Sequence, residues 1–281
     1  MEEIFMESHD LWIFKHVAEL QSVSKAAEKL GYVQPNVSQR IKSLEDELGV
    51  KLFMRNNRGV TLTEKGNVLL EYTNQIILLM DEAKSVISPQ KWRESLTIGA
   101  SQTISAVRIP QLFSSFLKEH KNMDVKVRTN DKQRLQEMLS YGELDGVFIN
   151  GAYNSSQFET VYRYFEKIVL ISPKHSQHDQ TLIVNSDINC IYRNKMIDFA
   201  NKSNFHDPTI IEFDSLESIL QAAHDGLGIT ILPADVAYNR KEIKTVQYRE
   251  LSDTIMIDFI IKPRKQKPQS LTKFIRFLQG T

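Results

Sequence analysis

The chain has 281 residues, about twice the length of a typical domain, which predicts two folded units joined by a connector. Hydrophobic residues make up 41% and charged residues 25%, a balance that excludes a largely disordered protein. Lysine and arginine total 35, as do aspartate and glutamate, so net charge favours neither a nucleic-acid partner nor an acidic tail. Any basic surface must therefore be confined to one part of the chain.

The N-terminal sequence and the cysteine content favour a cytoplasmic protein. MEEIFMESHDLW is acidic and lacks the basic and apolar regions of a signal peptide. The apolar stretches at 76–80 and 255–261 are too short to cross a bilayer. Cys190 has no intramolecular disulfide partner, and no cysteine and histidine spacing is typical of structural zinc. We therefore expect no membrane segment, no metal and no cofactor.

Residues 11–87 have the apolar spacing of helices, starting with Leu11, Phe14 and Val17. Within them, one short helix is predicted from an N-cap at Ser24 to a stop at Gly31. The next opens with Gln34 and Pro35 and closes at Gly49. Two helices joined by so short a turn are typical of a helix-turn-helix.

The second of these helices has an apolar stripe formed by Val37, Ile41, Leu44 and Leu48, which predicts its buried side. The opposite side carries Pro35, Ser38, Gln39 and Lys42, flanked by Asn36 and Arg40. Amides and hydroxyls can pair with base edges and cations with phosphates, while the acids at 45–47 come only in the later turns. A merely solvated polar face is the alternative interpretation; the order of the elements favours DNA binding.

The sequence KLFMRNNRGVTLT follows and predicts two short strands around a tight turn, a wing with Arg55 and Arg58 at its tip. From position 25 to 65 there are eight cations and five acids. Because the excess is only three, we expect one copy to bind DNA phosphates weakly and in a salt-sensitive manner. Two copies are predicted to act together.

These residues resemble the N-terminus of LysR-type transcriptional regulators. The similarity is carried by Ser24, Ala26, Ala27, Leu30, Gln34, Pro35, Val37, Ser38, Ile41, Leu44, Glu45, Leu48, Gly49, Leu52, Phe53, Arg55, Leu62, Thr63 and Gly66. It continues through Ile109–Pro110, Phe116, Leu144–Asp145 and residues 226–233. The predicted DNA-binding set is Ser24, Gln34, Pro35, Asn36, Ser38, Gln39, Lys42, Arg55 and Arg58. One departure is Val33, where the family usually has a serine or threonine; losing such a cap costs about 1 kcal/mol.

The resemblance implies a multidomain chain. A winged helix-turn-helix is expected at residues 1–62, a linker and dimerisation helix at 63–88, a hinge at 89–94 and an effector-binding domain at 95–281. The linker stripe, which includes Leu69, Leu70, Ile76, Leu79 and Val86, is broader than a small winged domain can cover. It packs either on its own effector domain or antiparallel against a second subunit; the second interpretation is favoured, and family habit suggests a homotetramer.

From position 95 onward, strand-like runs alternate with helical ones, in the order LTIGA, a helix at 110–120, VKVRT, a helix at 132–141 and GVFIN. The later strand-like runs include IKTVQY near 246 and IMIDFIIK near 255. This order predicts an α/β fold with parallel strands. The resemblance implies two Rossmann-like subdomains of the type 2 periplasmic-binding-protein kind. Subdomain I is expected at about 95–165 and 264–281, and subdomain II at about 166–263.

Polar residues at strand ends predict a ligand cleft, because ligands in parallel α/β sheets lie beyond the strands' carboxyl ends. The candidates are Ser101, Gln102, Thr103, Thr129, Asn150, Gly151, Arg193 and Gly226, and the segment 190–193 is expected to face the strand ends across the cleft. Simple helix capping is the alternative for each polar residue. With Arg128 and Arg193 nearby, we expect a small organic acid or similar polar metabolite.

Other functions have less support. Cys190 lies in a position similar to the reactive cysteine of the family's peroxide sensors, but the sequence has no second cysteine to resolve a sulfenic acid. A solute-binding protein would not need the DNA-type N-terminal unit. The sequence has no GxSxG, glycine-rich phosphate loop or HExxH motif, and its seven histidines are scattered. We therefore expect no enzyme.

Overall fold

The structure is a computed structural model and describes residues 6–56, 59–88, 93–174, 180–238, 246–264 and 267–280. Its N-terminal part contains α1 (Ser8–Leu20), α2 (Val23–Leu30), α3 (Gln34–Leu48), β1 (Phe53–Asn56), β2 (Gly59–Leu62) and α4 (Glu64–Ile87). The strands β1 and β2 form an antiparallel pair. This part is a winged helix-turn-helix followed by a long helix.

The ends of the short helices follow local sequence signals, with one difference. Gly31 and Gly49 end α2 and α3 in the left-handed conformation, with φ of 73° and 66°. The N-cap of α2 is Ser22, whose hydroxyl accepts the Lys25 N–H, so the prediction of Ser24 was wrong. Both serines are good cap residues, and the extended backbone at Ser22 decides between them.

The C-terminal part alternates strands and helices over most of its length. Its first elements are β3 (Glu94–Ala100), α5 (Gln102–Glu119), β4 (Met123–Thr129), α6 (Lys132–Ser140), β5 (Gly146–Asn150) and β6 (Glu159–Pro173). The remaining elements are β7 (Thr181–Asn185), α7 (Ile191–Lys202), β8 (Thr209–Phe213), α8 (Leu216–His224), β9 (Thr230–Pro233), α9 (Ala234–Tyr238), β10 (Val246–Ile261) and α10 (Gln269–Gln279).

A six-stranded mixed sheet has the order β4-β3-β5-β10-β6-β9, and β7 and β8 form a separate parallel pair. The predicted parallel pairing holds for β3 with β4 and β5. β10 is antiparallel to both β5 and β6. These two strands of 16 and 15 residues run side by side, with β5 paired to β10 and β9 paired to β6, so they connect the two halves of the effector domain.

Two features of this part differ from the sequence predictions. Helix α5 begins at Gln102 and includes Pro110 in its interior, whereas the sequence predicted a start at the proline. The runs predicted as separate strands near 246 and 255 belong to the single strand β10, which has a register shift between Glu250 and Thr254. Since residues 257–260 of β10 pair with β5, the chain returns to subdomain I before the expected boundary at 263.

Helix α4 is packed on one side and exposed on the other. Lys15 of α1 donates to Asn74 Oδ1 at 2.6 Å, and Asn74 Nδ2 donates to the Tyr141 carbonyl oxygen, also at 2.6 Å. Lys262 pairs with Glu71 and donates to the Ser140 carbonyl oxygen. The linker thus contacts both the winged unit and its own effector domain. Among the described helices, none is both long and apolar enough to cross a membrane.

Candidate nucleic-acid interface and ligand cleft

The first three turns of α3 present a polar surface free of acids. Gln34, Pro35, Asn36, Gln39 and Lys42 are exposed, and Ser38 is half-buried. On the other side of the helix, Val37, Ile41 and Leu44 are buried in the core of the winged unit. The sequence-predicted polar residues therefore share one outward face.

The start of α3 is held without a hydroxyl cap at Val33, which makes no side-chain capping bond. Instead, the exposed Ser24 hydroxyl donates to Gln34 Oε1 at 3.0 Å and joins α2 to α3. The Tyr32 N–H bonds to the Ala27 carbonyl oxygen at 2.9 Å and sets the turn between the two helices. The departure from the family pattern is accommodated by these contacts.

Arg40, expected to flank the DNA face as a phosphate ligand, is already paired. Its guanidinium lies 2.9 Å from Asp10 and 3.4 Å from Glu7 of the neighbouring α1 region. The Asp10 carboxylate raises the pKa of Arg40 through its hydrogen bond and through its negative charge. Arg40 therefore ties α3 to α1, which periodicity within α3 did not indicate.

Glu45, one of the three acids in the later turns of α3, is buried and joins α3 to the wing. Its carboxylate accepts the Leu52 N–H at 2.8 Å and the Phe53 N–H at 3.2 Å, and Lys51 Nζ lies 2.7 Å away. Burial alone would raise the pKa of Glu45, but the bonds from Lys51, Leu52 and Phe53 outweigh burial and lower it.

Glu45→Ala is expected to lower the free energy of unfolding by about 1–3 kcal/mol, because it leaves two backbone N–H groups without their acceptor. Since the folded-state pKa is depressed, the contribution of Glu45 is present above its unfolded pKa and lost as pH falls through the folded one. Urea unfolding of the wild type and of Glu45→Ala at neutral and acidic pH measures this contribution to stability. The exposed Glu47→Ala is the control, and equal stability of wild type and Glu45→Ala at neutral pH would contradict this role.

The wing begins and ends where the sequence predicts it. Arg55 is exposed on β1 opposite Val60, while Asn57 and Arg58 lie outside the described residues. Gly59 has φ of 135°, and a Cβ there would lie 2.4 Å from the Gln21 carbonyl oxygen. The predicted turn thus needs glycine for its backbone and for close packing on α1.

In the effector domain, three predicted ligand residues follow the carboxyl ends of adjacent parallel strands. Ser101 is the N-cap residue of α5 after β3, and its buried hydroxyl has no hydrogen-bond partner within the described residues. Thr129 ends β4, and its hydroxyl donates to Ser105 Oγ at 3.0 Å. Asn150 ends β5, beside β3 in the sheet. The strand order brings these three ends to one edge.

The N-terminus of α7 faces this edge from the other half of the domain. Thr103 of α5 lines a small cavity together with Cys190, Tyr192 and Arg193 of the α7 start and with Thr230 of β9. The cavity has a volume of about 10 Å³, which is about enough for one water molecule. In this conformation the space between the starts of α5 and α7 is therefore too small for a metabolite.

Three of the predicted ligand residues have other contacts. Arg193 Nη1 donates to the Asn185 carbonyl oxygen and lies 2.7 Å from Glu212, although its side chain still lines the cavity. Gln102 lies in a separate surface groove of about 620 Å³ between α5, α8 and α9. Gly226, with φ of 80° and open space at its Cα, ends α8, whereas Gly228 provides the expected close approach to Thr181.

The structure adds residues that sequence reasoning missed. Thr230 lines the cavity, and its position in an ordinary strand gave no local signal, whereas Tyr192 lies in the segment 190–193 that was expected to face the strand ends. Lys132 lies near the end of β5, where its Nζ is 3.5 Å from the place a Cβ would take on Gly151. Burial lowers the pKa of Lys132, and it makes no ion pair within the described residues.

Cys190 is the N-cap residue of α7 and is half-buried. Burial raises the pKa of its thiol, against the bonds from the Arg193 and Tyr192 N–H groups. The reactive form of a cysteine is the thiolate, so this environment does not favour oxidation by peroxide.

Comparison with known families covers both parts of the chain. Residues 8–67 match the bacterial regulatory helix-turn-helix protein of the lysR family, and residues 89–281 match the LysR substrate binding domain. The chain is 36% identical over 265 residues to the uncharacterized HTH-type transcriptional regulator YusT of Bacillus subtilis, covering 92% of this chain and 90% of YusT. It is 32% identical to CzcR of Bacillus cereus, covering 98% and 97% of the two chains.

Solved structures share the fold. A full-length OxyR variant from Pseudomonas aeruginosa superposes with a TM-score of 0.73 at 21% identity, covering 98% of this chain and 95% of OxyR. CbnR in complex with its target DNA has a TM-score of 0.65 at 20% identity, with 98% and 99% coverage. At these identities the likeness establishes the arrangement of domains alone.

Proposed function

We propose that this chain, which belongs to the LysR family of DNA-binding transcriptional regulators, binds its operator through the acid-free face of α3 and responds to a small metabolite in the effector cleft. The α3 face carries the proposal, because five of its predicted contact residues are exposed together on a helix fixed by its buried side. A gel-shift assay with the DNA upstream of its own gene, with and without candidate metabolites, tests it. We place this activity in the cytoplasm.

Within this face, we assign different roles to different side chains. The amides of Gln39 and Asn36 match the donor and acceptor pairs that base edges present in the major groove. Lys42 and the wing residue Arg55 are exposed cations suited to phosphates. Ser24, Gln34, Pro35 and Ser38 complete the surface, and Arg58 is included from its place in the sequence alone.

The exposed side of α4 supports assembly into a homodimer. Tyr72, Leu79 and Val86 are spaced seven residues apart and are 59%, 61% and 64% exposed. Apolar side chains at a seven-residue interval on a 24-residue helix suit packing against a second helix. The two interpretations of the linker are thus complementary: one side contacts its own domains, and the other is available to a second subunit. We further propose that two such dimers form a tetramer.

For the effector, we propose a small polar or anionic metabolite bound between the two subdomains. The support is the opposed helix starts of α5 and α7, the unpartnered Ser101 hydroxyl and the nearby Lys132. Calorimetry with a panel of organic acids is expected to find a binder whose affinity falls about tenfold in Thr103→Val, the loss of one hydrogen bond to a charged group. Gln133→Ala, exposed on α6, is the control. Binding only of neutral apolar compounds would contradict this proposal.

A further inference from the structure

A buried cluster of polar side chains lies in the hinge between the subdomains. Glu166 and Tyr164 point to one face of the hinge strand β6, two residues apart, and Glu166 is 9% exposed. Its neighbour across β10 is Ile255, which carries no charge. A carboxyl group in such a position requires partners from the helices that cover the strand.

The helices of both subdomains supply these partners. From α7, the Tyr192 hydroxyl donates to Glu166 Oε2, and Tyr192 is fully buried beside Cys190. From α5 and α9, Arg108 and Asp235 act on Glu166 through their charges. Tyr162 lies two residues before Tyr164 on β6, and the centroids of the two rings are 6.1 Å apart.

Arg108 and Tyr164 have unused hydrogen-bonding capacity. The Arg108 guanidinium lies 5.1 Å from the Tyr164 ring centroid. Within the described residues, Arg108 Nε and the Tyr164 hydroxyl are both buried without a hydrogen-bond partner. Buried polar atoms without hydrogen bonds lower the stability of the fold unless another conformation of the site gives them partners.

We propose that Glu166 is a positioning residue of the effector cleft, which holds Tyr192 in the closed state and takes Arg108 as its partner when the subdomains separate. Tyr192 lines the cavity between the subdomains and moves with subdomain II, whereas Arg108 belongs to α5 of subdomain I. The exchange of partners therefore accompanies opening of the cleft. This inference rests on the proposed function of that cleft.

The protonation state of Glu166 determines how pH shifts this exchange of partners. Burial, together with the negative charge of Asp235, raises the pKa of Glu166 to about 7, against the opposing effects of the Tyr192 hydrogen bond and the Arg108 charge. Opening admits water and brings the carboxylate to Arg108, so the open state has a lower pKa. Because the closed state then binds the proton more tightly, a rise in pH through 7 favours opening.

Hydrogen exchange of the full-length chain at pH 6, 7 and 8, corrected for intrinsic rates, tests this coupling. In the wild type, protection of the amides at 190–196 is expected to fall about tenfold from pH 6 to pH 8, the change that one proton with a pKa near 7 gives. Glu166→Gln, a neutral and nearly isosteric substitution, is expected to keep high protection at both pH values. Glu212→Gln is the control. It removes an acid of β8 that pairs with Arg193 of α7, and it is expected to keep the wild-type response.

A second variant distinguishes this exchange of partners from a general loss of stability. Arg108→Met removes the partner of the open state, so it is expected to move the midpoint of the response to higher pH. A wild type without pH dependence, or a Glu166→Gln variant with the wild-type response, overturns the inference. Neither result touches metabolite binding, which calorimetry measures separately.

Discussion

Operator affinity is expected to fall about 100-fold or more when Gln39 and Lys42 are replaced together by alanine. Gln39 is proposed to pair with a base edge, a contact worth about 1–3 kcal/mol that a dimer loses twice. The loss of the proposed Lys42 contacts to phosphate weakens binding further. Both side chains are exposed, so the fold is expected to remain intact. Fluorescence anisotropy at physiological salt measures the loss.

The matched control removes the same two residue types elsewhere. Gln111→Ala with Lys118→Ala changes exposed residues of α5 and leaves the winged unit untouched. The DNA-face variant should also show a shallower dependence of affinity on salt, because it releases fewer counterions. Unchanged affinity of the Gln39 and Lys42 variant would place DNA binding on another surface.

Leu79→Glu is expected to convert the assembly into monomers with lost operator affinity. Leu79 is 61% exposed at the middle of the seven-residue series on α4, and a carboxylate there would be buried without a partner in the paired helices. Sedimentation velocity measures the assembly state, and anisotropy measures affinity. Since one copy carries a cation excess of only three, the monomer is expected to bind weakly.

Asp81→Ala provides the comparison for this variant, because Asp81 is exposed on α4 outside the Tyr72, Leu79 and Val86 series. It is expected to stay assembled and to bind the operator. An intact dimer of Leu79→Glu would show that the linker helix does not hold the subunits together.

The sequence predicted those features that short-range chemistry determines. Gly31 and Gly49 end helices because they adopt positive φ, and Pro35 suits a first turn. The alternation of Val37 and Ile41 with polar residues sets which side of α3 is buried. These signals lie within a few residues of the feature they specify, so they can be read from the chain alone.

Contacts between distant residues could not be predicted in the same way. Arg40 was expected to face DNA but meets Asp10, which lies 30 residues earlier in the chain. The sequence placed Glu45 among the acids in the later turns of α3 but did not indicate that the wing covers it and donates to its carboxylate. Pro110 was read as a helix start, although the buried residues Ile104 and Ile109 continue the apolar face of α5 on its N-terminal side.

The residues of the candidate cleft could be predicted only in part from the sequence. Strand ends indicated Ser101, Thr129 and Asn150, since the parallel order of β4, β3 and β5 follows from the alternation of elements. The opposing wall depends on how subdomain II packs against it, so the segment 190–193 could be indicated only as a whole and Thr230 had no sequence signal. Glu166 was missed because an acid in a strand is usually exposed, and its burial depends on helices that are distant in the chain, such as α7, which supplies Tyr192.

Footprinting of the operator tests most directly whether a symmetric assembly presents the α3 face twice to duplex DNA. Hydroxyl-radical cleavage is expected to show two protected half-sites related by a two-fold axis. Their centres should lie about 10–10.5 base pairs apart, or a multiple of that distance, because both α3 helices must reach the same side of the duplex. Protection of a single asymmetric stretch, or the same footprint from the Gln39 and Lys42 variant, would contradict this account.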